Sequence, residues 1–244
     1  MENNKIKTGI DRLDNLLNGG IPMKSNVLAY SSPFIGREVL IHSFALINLK
    51  ENWPVIFILT DNAFSDMRDE LEKLDENFLG YEKKGLVRYI DGYSASIQGK
   101  EEHPYVEFVD SHLDMSGFSK AINNAQKEFI KKSSMHCLIL DSLSTLLAYS
   151  DAKAVFRFLQ ILGGRCKRAG ATSIFSMEYG MHNEKEVQTM KHVMDGVIEF
   201  RETNSGLQLR VQGCGDVVSR NWIDYIFEEN RINITGALKV GRVA

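Results

Sequence analysis

Cysteine is scarce, and the three present, Cys137, Cys166 and Cys214, are too far apart for a disulfide framework or a CxxC metal or redox pair. They read as reduced thiols. Proline is equally sparse, at four residues, and no Pro/Gly-rich stretch or internal repeat marks a linker, so a single domain over residues 1–244 is expected. A basic excess is missing too: the net charge is −3, which argues against non-specific nucleic-acid binding. No apolar run approaches the roughly 18 residues of a membrane span, and the opening MENNKIKTGIDRL lacks the apolar core of a signal peptide. A soluble cytoplasmic protein without a membrane partner is the expectation.

What is present is a 244-residue chain, 43% apolar and 25% charged, with material for a sizeable core. One stretch organises it: NVLAYSSPFIGREVLIHSFALI, Asn26 to Ile47. A β-type run, Val27 to Tyr30, enters a short turn, Ser31 to Gly36, and leaves in a helix with Leu40, Phe44 and Ile47 at helical spacing. Strand, loop and helix in this order frame a phosphate-binding loop. Its motif is Gly, four residues, then Gly-Lys-Ser/Thr, because Gly lets the backbone curl into a nest of N–H donors while Lys and a hydroxyl serve the phosphates and Mg²⁺. The positions here are Ser31, Ser32, Pro33, Phe34, Ile35, Gly36, Arg37 and Glu38, with Val39 following.

The rest of the chain alternates. Residues 1–25 form an entry segment, with a short helix carrying Leu13, Leu16 and Leu17 before the turn signals Gly19, Gly20 and Pro22. Val55 to Thr60, Leu86 to Asp91, Met135 to Asp141 and Thr172 to Met177 read as buried parallel strands, and Tyr105 to Val109 as a short one. Helical stripes lie between them: Met67, Leu71 and Leu74 behind a Ser65 cap; Phe118, Ile122, Ala125 and Phe129; Val155, Phe158, Leu159 and Leu162. The charged turn EKKG precedes one strand, and Gly92 to Glu102 reads as an exposed loop. Val197 to Arg201, Leu207 to Val211 and Tyr225 to Glu228, linked by polar turns, suggest antiparallel hairpins at one edge. The expected fold is α/β, a mostly parallel central sheet flanked by helices with antiparallel strands at the C-terminal edge.

The order of TGIDRLDNLLNGGIP, the loop, VIFILTDN, RYIDGYSAS, LILDSLSTLL, TSIFSMEY and HVMDGVIEF resembles the KaiC-like branch of the RecA superfamily of P-loop ATPases over nearly the whole chain. The resemblance implies a RecA-like core, nucleotide at the carboxyl ends of the strands, and a ring or filament in which a neighbour completes each site. The family's opening Gly falls on Ser31 and a flexible Gly on Phe34, changes expected to remove positive-φ conformations that only Gly enters cheaply. Arg37 stands at the lysine position, bulkier and planar. Glu38 replaces the hydroxyl that ligates Mg²⁺; a carboxylate about 4 Å from a phosphate oxygen is repelled by about 4 kcal/mol at an effective dielectric near 20. Near a helix N-terminus Glu38 can instead satisfy the macrodipole itself.

The family's water-polarising glutamate pair reads Asp61-Asn62, leaving Asp61 as a residual, shorter carboxylate, or as an ordinary strand-end turn residue. Asp141, ending LILD, keeps the position that holds Mg²⁺ in a working site, though an apolar run ending in Asp also caps helices. The family's Lys-x-Arg-Gly, whose cations reach a neighbour's phosphate, becomes Gln212, Gly213, Cys214 and Gly215, with Arg210 or Arg220 as substitutes if geometry allows.

Weaker signals read more simply. His182 and His192 lack ligand spacing. Asp110, His112 and Asp114 alternate along one face, either a solvated face or a metal site. Ser142 and Ser144 have no His/Asp constellation, and the clusters Lys83-Lys84, Lys131-Lys132 and Arg165, Lys167, Arg168 fit helix ends and turns.

Loss of chemistry at several positions together points to a non-hydrolysing, pseudo-ATPase member acting as a regulatory or protein-interaction module. No cofactor is then expected, and the partners are itself, a related KaiC-like protein in a homo- or hetero-oligomer, or another protein. The alternative is an ATP-binding switch or weak ATPase in which Arg37 and Asp141 hold ATP and Glu38 becomes a direct Mg²⁺ ligand. A nucleic-acid-binding relative is the third reading, without a basic stripe or aromatic platform in its favour.

Overall fold

The apolar runs become the middle of one sheet. In the computed structural model, which describes residues 4–97, 99–228 and 231–236, every side chain of VIFIL and HCLIL is buried. That is how parallel strands covered on both faces behave. In chain order the elements are β1 (Lys5–Ile6), α1 (Asp11–Leu16), β2 (Ile21–Pro22), β3 (Asn26–Ser31), α2 (Arg37–Lys50), β4 (Val55–Leu59), α3 (Phe64–Leu74), α4 (Phe78–Lys83), β5 (Val87–Asp91), α5 (Tyr93–Ser96) and β6 (Val106–Phe108). There follow α6 (Met115–Ile130), β7 (His136–Leu140), α7 (Leu143–Tyr149), α8 (Ala152–Ala169), β8 (Ala171–Glu178), α9 (Glu184–His192), β9 (Gly196–Thr203), β10 (Gly206–Gly213), β11 (Ile223–Glu228) and β12 (Arg231–Ile234).

The ten-stranded sheet runs β12-β11-β10-β9-β3-β8-β7-β4-β5-β6. Pairing is parallel from β9 through β6 and antiparallel from β9 outward to β12, the α/β architecture expected from the sequence. Two apolar layers sandwich it. Leu13 and Leu16 of α1, Leu40 and Phe44 of α2, Met67 and Leu71 of α3 and Phe78 of α4 pack on one face. Phe118, Ile122 and Phe129 of α6, Leu146 of α7, Leu159 and Leu162 of α8 and Met190 of α9 pack on the other. No helix among the described residues is long and apolar enough to cross a membrane.

Several local readings are corrected. Ser65 does not cap α3: the helix begins one residue earlier, and the Phe64 N–H donates to the Asp91 carboxylate at 3.0 Å. A neighbouring strand end supplies that cap, a contact local sequence does not encode. Leu74, placed on the inner stripe, is exposed. The charged turn EKKG begins inside α4, where Glu82 is buried, ion-paired to Arg68 at 3.1 Å and hydrogen-bonded by the Tyr89 hydroxyl at 2.9 Å. A carboxylate in a segment read as a charged turn is a core group because partners distant in sequence neutralise it. The loop from Gly92 contains the one-turn α5, whose Ser94 is buried against Asp91.

Candidate functional site

β3 ends between β8 and β9, so the loop that follows it lies at the carboxyl edge of the sheet, where open α/β sheets place their ligands. Tyr179 N–H donates to the Ser31 carbonyl at 2.7 Å, and Ser31 Oγ donates to the Ser32 carbonyl at 2.7 Å. The chain then passes through Phe34 at φ 63° and Gly36 at φ 127° into α2. Losing glycine at 34 was expected to remove the left-handed conformation, and it does not: Phe34 adopts it, at a strain of about 1–2 kcal/mol.

The cause is a clamp beyond the tip. Tyr225 Oη donates to the Ile35 carbonyl, and a Cβ at Gly36 would come within 3.0 Å of the Phe200 ring and 3.1 Å of Ile232. With its exit held this tightly, the loop keeps a left-handed residue at its tip even without glycine there. The Phe34 side chain is 89% exposed, so the strain secures no packing. Phe34→Gly is therefore expected to stabilise the fold by about 0.5–1 kcal/mol, strain relief exceeding the extra unfolded-state entropy of glycine. A urea melt that instead shows destabilisation would assign the ring a packing role.

Arg37 does not face an open nest. Its Nη2 lies 2.9 Å from Glu38 Oε1, its side chain is largely buried, and its Nε has no hydrogen-bond partner among the described residues. Glu38 sits in the first turn of α2, where a carboxylate satisfies the N-terminal dipole. Next along this face, His42 Nε2 lies 3.3 Å from Glu70 Oε2. Burial drives the imidazole down to about 4 although Glu38 pulls it upward, so at neutral pH this contact is not an ion pair. A cleft of about 1260 Å³ runs along α2 here, lined among others by Glu38, His42, Glu70 and Arg231.

Asp141 follows β7, two strands from β3. Its Oδ1 accepts from the Thr60 N–H at 2.8 Å and the Thr60 hydroxyl at 3.1 Å, and its Oδ2 from the Asn62 amide at 3.3 Å. Burial, with repulsion from Asp61, pushes its carboxyl up to about 6 against these donors. The structure thus joins Asn62 to Asp141 and leaves Asp61 exposed. No sequence signal gave the Asn62 bond, which spans the length of chain between β4 and β7.

At the far edge Gln212 is exposed, while Cys214, at φ 58°, is buried in the core on the α2 face, its thiol pushed up to about 12 by that burial. A side chain at 214 points inward rather than toward a neighbour. Arg210 is occupied: its Nε donates to the buried Glu199 at 2.5 Å, and its guanidinium lies 4.5 Å from the Trp222 ring, which Arg201 also approaches at 3.9 Å. An aromatic flanked by cations thus exists where composition suggested none, one of them, Arg210, held by the buried Glu199.

Asp110, His112 and Asp114 do not share a face. Asp114 caps α6 by accepting from the Gly117 N–H at 2.9 Å, His112 Nδ1 pairs with Ser96 Oγ at 2.6 Å, and Asp110 lies 3.8 Å from Lys100. Among the described residues no three His, Cys, Asp or Glu side chains are placed to hold a metal ion.

Comparison with known proteins bears on the family and the fold. The family described as ATPase: KaiC matches residues 6–235. UPF0273 proteins of Methanopyrus kandleri and Pyrococcus horikoshii are each 26% identical, covering 80% of this chain and 76% and 77% of theirs. A crystal structure of a KaiC-like protein from Pyrococcus horikoshii superposes with a TM-score of 0.73 at 20% identity, covering 94% of this chain and 98% of that one, which bears on the fold.

Proposed function

Because the chain belongs to the KaiC family of P-loop ATPases with a RecA-like core, we propose that it is a non-hydrolysing member, a regulatory or protein-interaction module. The observation that carries this reading is the Arg37–Glu38 pair at 2.9 Å. The one cation of the loop is neutralised by the residue standing where a Mg²⁺-binding hydroxyl would be. The residues present do not fit a magnesium triphosphate: Glu38 adds negative charge beside the phosphates, and both oxygens of Asp141 already accept hydrogen bonds from Thr60 and Asn62. Asn62 has no proton-accepting group at neutral pH, so the water-activating role has no occupant beyond the exposed Asp61. Phe34, strained and exposed at the loop tip, supports an interaction role, since residues held in sparsely populated backbone conformations cluster at binding and switch sites.

Calorimetric titration of ATP with and without Mg²⁺, together with a phosphate-release assay, tests the proposal. The expected result is no binding at millimolar ATP that Arg37→Gln or Asp141→Asn weakens, and no turnover above background. Turnover that Asp141→Asn abolishes would sink it and favour the ATP-switch reading.

A further inference from the structure

We propose that the cleft between α6 and α8 binds a small anionic ligand carrying a phosphate group. The cleft, of about 610 Å³, is lined by Ser119, Lys120, Asn123 and Gln126 of α6 and by Arg165, Arg168 and Ala169 of α8. Its lining is polar and cationic, and Lys120, Asn123, Arg165 and Arg168 are exposed to solvent. Three of its seven lining residues are cations and none is a carboxylate.

None of Lys120, Arg165 and Arg168 makes an ion pair among the described residues, as is true of most Lys and Arg there; what sets these three apart is that they line one cleft. Converging cations repel one another, and an anion between them removes that repulsion.

Helix-end chemistry explains only part of this cluster. Cations in the last turn of α8 complement its dipole, as Lys167 does while also pairing with Asp195 at 2.6 Å. Lys120 lies in the second turn of α6, away from the C-terminal end where the dipole would favour a cation. Arg165 and Arg168 stand three residues apart on one helical face, so their planar forks can grip phosphate oxygens bidentately from one wall while Lys120 supplies a point charge from the other. Ser119 and Asn123 add a hydroxyl and an amide for the uncharged part of the ligand. The floor is firm: Gln126 is buried and its amide lies 3.2 Å from Nε2 of the buried His136.

The site is separate from the phosphate loop. α8 runs from the carboxyl edge of the sheet back to the start of β8, and β8 pairs in parallel with β3, so Arg165 and Arg168 lie toward the amino edge. The inference therefore stands or falls independently of the non-hydrolysing reading.

The test is calorimetric titration of the full chain at low ionic strength, where surface attraction is least screened, with inorganic pyrophosphate and with ADP as probes. Saturable binding of pyrophosphate at one site per chain is expected, weakened about tenfold or more by Arg165→Gln, Arg168→Gln or Lys120→Gln. Arg157→Gln, which removes another exposed cation of α8, is expected to leave it unchanged. Tighter binding of ADP through the same residues assigns the ligand to nucleotides, and equal binding assigns it to simple phosphates. Circular dichroism checks that each variant folds. Absence of saturable binding of either probe at millimolar concentration overturns the proposal. So does equal weakening by Arg157→Gln, or a single-stranded oligonucleotide that displaces pyrophosphate and binds tighter.

Discussion

The double substitution Arg37→Lys with Glu38→Thr is expected to raise affinity for Mg²⁺-ATP several hundred-fold while leaving turnover at background. The gain follows from the charge at position 38: removing a carboxylate that repels a phosphate by about 4 kcal/mol at an effective dielectric near 20 corresponds to a factor of that size. The change also frees the cation at 37 from its present partner, 2.9 Å away. Recovery requires a loop backbone that still has the nest shape, and positive φ at Phe34 and Gly36 indicates that it does. Turnover stays absent because neither substitution replaces Asn62 or turns the inward Cys214 toward a neighbour. Fluorescent-nucleotide titration of wild type and double variant measures the ratio. A ratio near one would mean that the strained loop itself, not the charge at 38, excludes nucleotide.

Ordered apolar runs such as VIFIL and HCLIL placed the parallel strands, because burial on both faces leaves a continuous signature. Substitutions at 31, 37, 38, 62, 212 and 214 could be read off directly, as each is a local change of side-chain chemistry. Their geometry was hidden. The strain at Phe34 depends on Tyr225 and Phe200, residues far along the chain that hold the loop exit. The inward turn of Cys214 depends on core packing, and the Asn62–Asp141 bond joins two strand ends. Likewise Lys120 gave no hint of Arg165 and Arg168, because only the packing of α6 beside α8 brings them to one cleft.

Asp141→Asn is expected to stabilise the protein by about 2–3 kcal/mol at pH 8 and by much less at pH 4.5. Burial raises the folded-state carboxyl from 3.8 to about 6, so the folded protein holds this proton more tightly than the unfolded chain does. The associated stability is fully present below about pH 4 and is lost as pH rises through 6. The difference of about two pKa units corresponds to about 3 kcal/mol lost at neutral pH. Asparagine at 141 keeps the volume, does not titrate, and its carbonyl can accept from the Thr60 N–H that now bonds Oδ1. The Asn62 amide, which faces Oδ2, can rotate to present its oxygen to the new donor, so no buried clash of donors results. Urea denaturation of both proteins from pH 4.5 to 8 measures the difference, in which titrating groups remote from position 141 cancel. A difference independent of pH refutes the assignment of strain to this carboxylate. Millimolar Mg²⁺ together with ATP separates the functional readings in the same experiment, because the ATP-switch reading seats the cation at Asp141 only beside bound nucleotide. A cation seated at Asp141 would favour the ionised form and stabilise wild type over the variant at pH 8, whereas the non-hydrolysing reading expects the difference to stay the same with and without the metal and nucleotide.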